Sequence, residues 1–382
     1  MLRPAKRLTG KTRAWSAAFA ATVAISAAAA PTASALPVDF WGVDVQATPS
    51  FEQLQRLERG GVESIRIPID WNAVQPIADG PFDWSTTDAL VRSAAETGVD
   101  VLPCLYGAPT WAVPLARIPG STVRAPKHLP VGGAARAAWM NFVSQVVARY
   151  GPGGSFWTEN PYVPARPIVA WQIWNEENFK YFVVHPNPAE YAKLVKISSM
   201  AAKGIDPNAQ VVLGGLFAWP REAAYKTRPR QAYYATEFLS QMYKSAPGIK
   251  SRFDGVALHP YAKTYEYLGR QITEVREVLK KSRDPGVGLW ITEVGWSSKY
   301  PSGANGRNHF EKGPYGQAQQ LKGAFGLLRS KQQQWRIQRV YWFSMDDLAG
   351  ACNFCDGSGL FGAGFVPKPA WYAYVRFTGG TP

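Results

Sequence analysis

The stretch IVAWQIWNEEN, Ile168 to Asn178, decides how the rest of the chain is read. Its first seven residues are apolar or aromatic except Gln172, as expected of a strand buried on both faces, and an amide and two acids follow without a turn residue between. A carboxylate there is costly unless it is paired or used. Parallel strands that deliver their carboxyl ends to a common face give such an acid a use.

Working outward, short runs rich in Val, Ile and Trp alternate with segments of helical period. The strand candidates are Phe40 to Val45, Ser64 to Ile69, Val99 to Leu105, Ile168 to Trp174, Gln210 to Leu213, Gly255 to His259, Val287 to Thr292 and Arg339 to Ser344. Between them, Trp139, Phe142, Val143, Val146, Val147 and Tyr150 form one apolar stripe, and Leu268, Ile272, Val275 and Leu279 another. Asn187-Pro188-Ala189-Glu190 reads as a helix start, and a last helix begins around Pro369. Eight such pairs without a composition break predict one α/β domain over 36–382, a (β/α)8 TIM barrel with enlarged loops after strands 2, 3 and 7. An open doubly wound sheet is the alternative, because alternation does not reveal closure.

Residues 1–35 read differently. Arg3, Lys6, Arg7, Lys11 and Arg13 precede an Ala-rich stretch that ends in Ala33-Ser34-Ala35, the pattern of a secretory signal peptide with its cleavage site. The apolar part is short for a bilayer span of ~20 residues, so a secreted protein without stable membrane insertion is expected. Removing those five basic residues from the formal +14 leaves +9. No dense basic run with interleaved aromatics points to nucleic acid. Cys352 and Cys355 sit in a Gly-rich loop and are expected to close a small disulfide, while Cys104 reads as a buried strand residue. The histidines show no ligand spacing, so neither a metal nor another cofactor is expected.

Two acids stand out by position: Glu176 at the end of strand 4 and Glu293 at the end of strand 7, both framed by tryptophan. Glycoside hydrolysis needs one carboxyl protonated to help the leaving oxygen depart and another ionised to attack the anomeric carbon. Aromatic rings stack on the C–H faces of sugars and dry the site enough to move a pKa. A carbohydrate is therefore the expected partner.

Trp174-Asn175-Glu176 and Thr292-Glu293 resemble the strand 4 and strand 7 motifs of the retaining glycoside hydrolases of clan A, which have (β/α)8 barrels. The resemblance implies Glu176 as acid/base, Glu293 as nucleophile and Asn175 as partner of the sugar 2-hydroxyl. Arg66 resembles the strand 2 arginine that keeps the nucleophile ionised, His259-Pro260-Tyr261 the strand 6 His-x-Tyr, and Trp342 the strand 8 tryptophan under the sugar. Gly107-Ala108-Pro109-Thr110-Trp111 and the stretch from Trp171 to Asn178 look most like family 39, then family 5. Glu177 departs from that family, which usually has proline there. The residues after the barrel do not read as the β-sandwich of many family 39 xylosidases, so their specificity is not carried over.

Rival motifs fail by context. Gly357-Ser358-Gly359-Leu360-Phe361-Gly362 matches a dinucleotide fingerprint by letter but leads into loop, and neither G-x-S-x-G nor H-E-x-x-H occurs. The expectation is a secreted retaining glycoside hydrolase, endo-acting on a polysaccharide, monomeric, with Trp71, Trp111, Trp219 and Trp296 as exposed aromatics of its cleft. The alternatives are a non-catalytic sugar-binding barrel, a transglycosylase, or an exo-acting β-glycosidase such as a β-xylosidase. Carboxyl groups roughly 5 Å apart are expected for the retaining chemistry.

Overall fold

The computed structural model describes residues 36–118, 121–218, 232–301, 309–350, 352 and 355–382. The 1–35 leader and Trp219 lie outside the described residues. Residues 36–382 form one compact unit.

Eight parallel strands close on themselves. They are β1 (Trp41–Asp44), β2 (Ser64–Asp70), β3 (Asp100–Tyr106), β4 (Ala170–Ile173), β5 (Gln210–Leu213), β6 (Gly255–His259), β7 (Gly288–Val294) and β8 (Ile337–Trp342). Each pairs with the next, and β8 pairs with β1, which makes the barrel closed rather than open. The helices that cover it are α1 (Phe51–Arg59), α2 (Ser85–Thr97), α3 (Gly133–Tyr150), α4 (Pro188–Ile205), α5 (Ala235–Ser245), α6 (Tyr265–Lys281), α7 (Gly313–Ser330) and α8 (Pro369–Thr378).

Local chemistry explains the helix starts. Ser50 and Gln53 form a reciprocal capping box on α1, and the Asn187 side chain accepts from the Ala189 and Glu190 amides ahead of α4. The stripe from Trp139 to Tyr150 is the buried face of α3. Inside the barrel, Leu102, Ala170, Val212, Ala257, Trp290 and Tyr341 pack as one interior layer beneath the site, while the larger apolar cluster fills the space between strands and helices.

Some boundaries differ from the sequence reading. The run 168–174 forms a strand only over Ala170–Ile173, because the chain turns at Trp174, whose φ is +72°. The loop expected over 70–84 contains a short helix, Trp71–Val74, capped by the Asp70 carboxylate. Strand β8 starts and ends earlier than expected and stops at Trp342, so Phe343 and Ser344 belong to the loop above the barrel.

Candidate active site

Arg66 is the hub. It lies inside the barrel on β2, 3% exposed, and its guanidinium reaches four neighbours. Nη1 donates to Glu293 Oε1 at 2.9 Å and to Asp44, Nη2 to Asn175 Oδ1 at 2.6 Å, and Nε to Gln172 Oε1 at 2.7 Å. Burial works against its charge, but neighbouring Cys104, Asp44 and Glu293 push its pKa above the ordinary value, so it stays a cation. One fixed plane of donors thus orients the nucleophile candidate and the Asn175 amide together.

The two glutamates meet across His259. Carboxylate oxygens of Glu176 and Glu293 and the His259 Nδ1 all lie within 4.8 Å of one another. His259 Nδ1 is 2.9 Å from Glu176 Oε1 and 3.3 Å from Glu293 Oε2. Burial, then the charge of Arg66, holds this imidazole well below its usual pKa, so it is neutral; because Nδ1 faces both carboxyls the ring proton is assigned to it, and Nε2, 3.0 Å from the Thr292 hydroxyl, is then the acceptor. Tyr261 donates its hydroxyl to Glu293 Oε2 at 2.8 Å.

The carboxyls differ in their surroundings. Burial, the charge of Glu293 and that of Glu177 push Glu176 well above the usual carboxylate range, against a weaker opposing pull from Arg66. Burial raises Glu293 to about 7, restrained by Arg66 and by the Tyr261 hydroxyl. Glu176 therefore holds the proton when the pair carries one, and Glu293 is the first to ionise. The backbone reinforces the placement: Trp174 and Glu176 both have positive φ, +72° and +41°. Such geometry is costly for side-chain-bearing residues and persists because contacts hold it. The Trp174 amide donates to the Leu105 carbonyl, and the Cys104 thiol donates to the Trp174 carbonyl.

A pair of glycines clears the space. A Cβ on Gly215 would stand 1.8 Å from His259 Nε2, and one on Gly214 would stand 2.0 Å from Glu177 Oε2. Here β5 pauses before resuming as Leu216–Phe217 beside β6.

The structure brings Glu176, Glu293, Arg66, Asn175, His259 and Tyr261 together, and three expectations need correction. Trp342 does not lie under a sugar: along β8 the side chains alternate, so Tyr341 points into the barrel and Trp342 outward onto Phe325 and Trp296, fully buried. Phe343, in the loop just after β8, is the aromatic that packs against Tyr261. Trp71 and Trp296 are not exposed cleft residues but fully buried, with Trp296 donating to the Ala262 carbonyl. Trp111 is half-buried and donates to the Gln75 carbonyl, so it braces the β3 loop edge-on to Trp71.

Glu177, beside the acid, is fully buried, and its carboxyl stands against the Tyr191 hydroxyl. The neighbouring Tyr191 hydroxyl donates to the Ile173 carbonyl and accepts from the Gly214 amide. Burial pushes Glu177 up to about 8. Cys352 and Cys355 are joined in a disulfide that packs on the Tyr261–Phe343 cluster, and Cys104 is free and buried. The sequence reading gave no site role to Gln172 or Thr292 and did not notice Asp44, although all three side chains reach the Arg66 and His259 network. Among the described residues, the group able to share a metal ion is Glu176, His259 and Glu293 themselves.

A closed parallel barrel with two carboxyls this close at its strand ends has the arrangement that two-carboxylate glycoside hydrolysis requires. Residues 180–361 match the family model described as Glycosyl hydrolase catalytic core. A β-xylosidase from Geobacillus stearothermophilus is 28% identical over 131 residues, 33% of this chain and only 26% of that relative's length. Among solved structures, a monomeric β-xylosidase from Caulobacter crescentus superposes with a TM-score of 0.61 at 20% identity, covering 89% of this chain and 68% of that one. A family 39 glycoside hydrolase from Bacteroides cellulosilyticus does so with a TM-score of 0.61 at 19% identity, covering 90% and 64%. The two solved structures share the fold; the matches in sequence support a glycosidase.

Proposed function

We propose that the protein is a retaining glycosidase that hydrolyses O-glycosidic bonds of a polysaccharide. The observation that carries this reading is the spacing of Glu176 and Glu293, oxygens within 4.8 Å, in unequal surroundings. Retaining enzymes hold their carboxyls about 5–5.5 Å apart, whereas inverting ones leave room for a water. Glu293, whose ionised form Arg66 and Tyr261 favour against burial, attacks the anomeric carbon when deprotonated. Glu176 gives its proton to the leaving oxygen and then takes one from the water that frees the sugar. Neutral His259 donates to Glu176 and fixes its orientation without supplying a charge.

The leader pattern supports export, and the mature chain would begin near Leu36 and act as a monomer. N-terminal sequencing of the secreted product tests the first point and size-exclusion chromatography with light scattering the second. The activity is tested by product release from a panel of polysaccharides, with the anomer of the first-formed product read by NMR. Retained configuration supports the double displacement; inversion removes Glu293 as a nucleophile. Exo-action as a β-xylosidase is the second reading, favoured by the relative from Geobacillus stearothermophilus. Release of xylose alone from chain ends would select it.

A further inference from the structure

Charge is spread unevenly over the loops at the carboxyl ends of the strands. Among the described residues, the loops that follow β3 to β7 carry seven lysines and arginines against three acids, whereas those that follow β8, β1 and β2 carry five acids against one lysine. Where the two groups of loops meet, lysines are paired: Lys299 with Asp356 at 2.7 Å and Lys368 with Asp347 at 2.6 Å. Lys263 after β6 and Lys312 after β7 are not, for among the described residues no carboxylate stands within ion-pair distance of either ammonium. The acid nearest to Lys263 in the chain, Glu266, is taken by the Thr264 hydroxyl.

The backbone holds these two lysines side by side at the catalytic centre. Lys263 follows Ala262, whose carbonyl accepts from the Trp296 indole at 2.9 Å, and the next residue, Ser297, accepts the Lys312 amide on its carbonyl at 2.9 Å. Each lysine also stands two residues beyond a ring of one contact: Tyr261, which donates to Glu293, packs against Phe310 at 6.0 Å. Two residues span at most about 7 Å, so both side chains start close to the nucleophile candidate. Lys263 is exposed and Lys312 half-buried. Burial, then the charge of Lys263, lowers the Lys312 pKa, and no acid offsets either cause. Two ammoniums kept together without a counter-ion gain nothing for the fold; an incoming anion would relieve both costs.

We propose that Lys263 and Lys312 form a binding site for an acidic glycan, gripping the carboxylate, sulfate or phosphate group of a sugar that flanks the bond to be cut. The inference rests on the glycosidase reading and adds the substrate's charge to it. The charged sugar flanks the cleaved bond rather than sitting at it, because the cation at the centre, Arg66, already spends its donors on Asp44, Glu293, Asn175 and Gln172. Lysine suits the rim, since a mobile ammonium meets an anion in many poses along a chain. Rim charges speed encounter and select among partners, and salt screens them.

The test measures binding by biolayer interferometry to three soluble polymers of one backbone: carboxymethyl cellulose, cellulose sulfate and neutral hydroxyethyl cellulose. Every protein carries Glu176→Gln so that no probe is cut. Lys263→Gln/Lys312→Gln is set against Lys280→Gln/Lys281→Gln, which removes the same charge from exposed lysines in the last turn of α6, at the far end of the barrel. The parent is expected to prefer a charged probe to the neutral one, and the charged probe held more tightly names the anion. The rim pair should weaken that binding about three- to tenfold, as loss of two largely exposed ionic contacts implies, and leave the neutral probe unaffected. Lys263→Gln alone, at an exposed position, should give part of the loss even if the double variant folds poorly. No preference for a charged probe, or equal weakening in the α6 control, overturns the site. Hydrolysis by wild type is read separately, so a protein that binds acidic chains but cuts none of the polysaccharide panel keeps the site and loses the glycosidase reading.

Discussion

The ends of β4 and β7 each present a buried glutamate, and their relative exposures are nearly equal, 7% for Glu176 and 6% for Glu293. What differs is the company. Glu293 accepts from a guanidinium and a phenol, whereas Glu176 accepts from a neutral imidazole and is followed by a second buried acid, Glu177. The same residue type at the same depth is thus held ready to ionise in one place and kept protonated in the other. Burial raises both pKa values, and the counter-charge decides which is raised less.

The largest effect should come from erasing the asymmetry. Glu176→Gln and Glu293→Gln, each checked for folding by circular dichroism, are expected to lower kcat by roughly 10²–10⁴-fold, the range for loss of an acid/base group, with Glu293→Gln the more severe. Only Glu176→Gln should recover on substrates whose leaving group needs no proton, such as dinitrophenyl glycosides. Equal recovery in both variants would mean the roles are not divided in this way.

Removing the counter-charge comes next. Arg66→Met leaves Asp44 and Glu293 buried without their cation, and a loss of about 3–5 kcal/mol in unfolding free energy is expected from denaturant titration. The milder Tyr261→Phe removes one hydrogen bond to Glu293, so the acid limb of kcat/KM, set by a nucleophile near pKa 7 in wild type, should move to higher pH. An unmoved acid limb would detach Tyr261 from the nucleophile.

A smaller effect concerns the second acid of β4. The Glu177 carboxyl is raised in the folded state to about 8, whereas an unfolded glutamate titrates near ~4.3. Between those values the unfolded chain has already released this proton while the folded one retains it. Stability through this group therefore falls as pH rises from ~4.3 to about 8 and then levels off. Melting temperatures of wild type should decline across that window by a few degrees more than those of Glu177→Gln. Parallel curves would show that Glu177 does not carry the burial cost assigned to it. Smallest of all, EDTA should leave the rate unchanged, because both roles are filled by side chains.

Much of this centre was legible because strand ends are marked twice, by a buried run and by the acid that breaks it. Trp174-Asn175-Glu176 and Thr292-Glu293 carried that signal, and six of the residues named from it meet in one place. The aromatic assignments failed for a physical reason. Side-chain alternation flips with a one-residue change of register, and nothing in Tyr341-Trp342-Phe343 tells which ring faces inward. Irregularity hid more: the register of β7 against β8 shifts between Ile291 and Val294, which lets adjacent Thr292 and Glu293 both reach the site. Asp44 was missed because a single acid on a short strand has no periodic signature. The pairing of Gly214 with Glu177 and of Gly215 with His259 is visible only once β5 and its neighbours are packed.

The most direct test of the division of labour is to trap the intermediate. Wild type would be incubated with an activated 2-deoxy-2-fluoro glycoside of the sugar it releases, digested, and its peptides mapped by mass spectrometry. A glycosyl adduct on Glu293, with Glu176 unmodified, is the predicted result. An adduct on Glu176, or turnover with inversion and no adduct at all, would contradict the account.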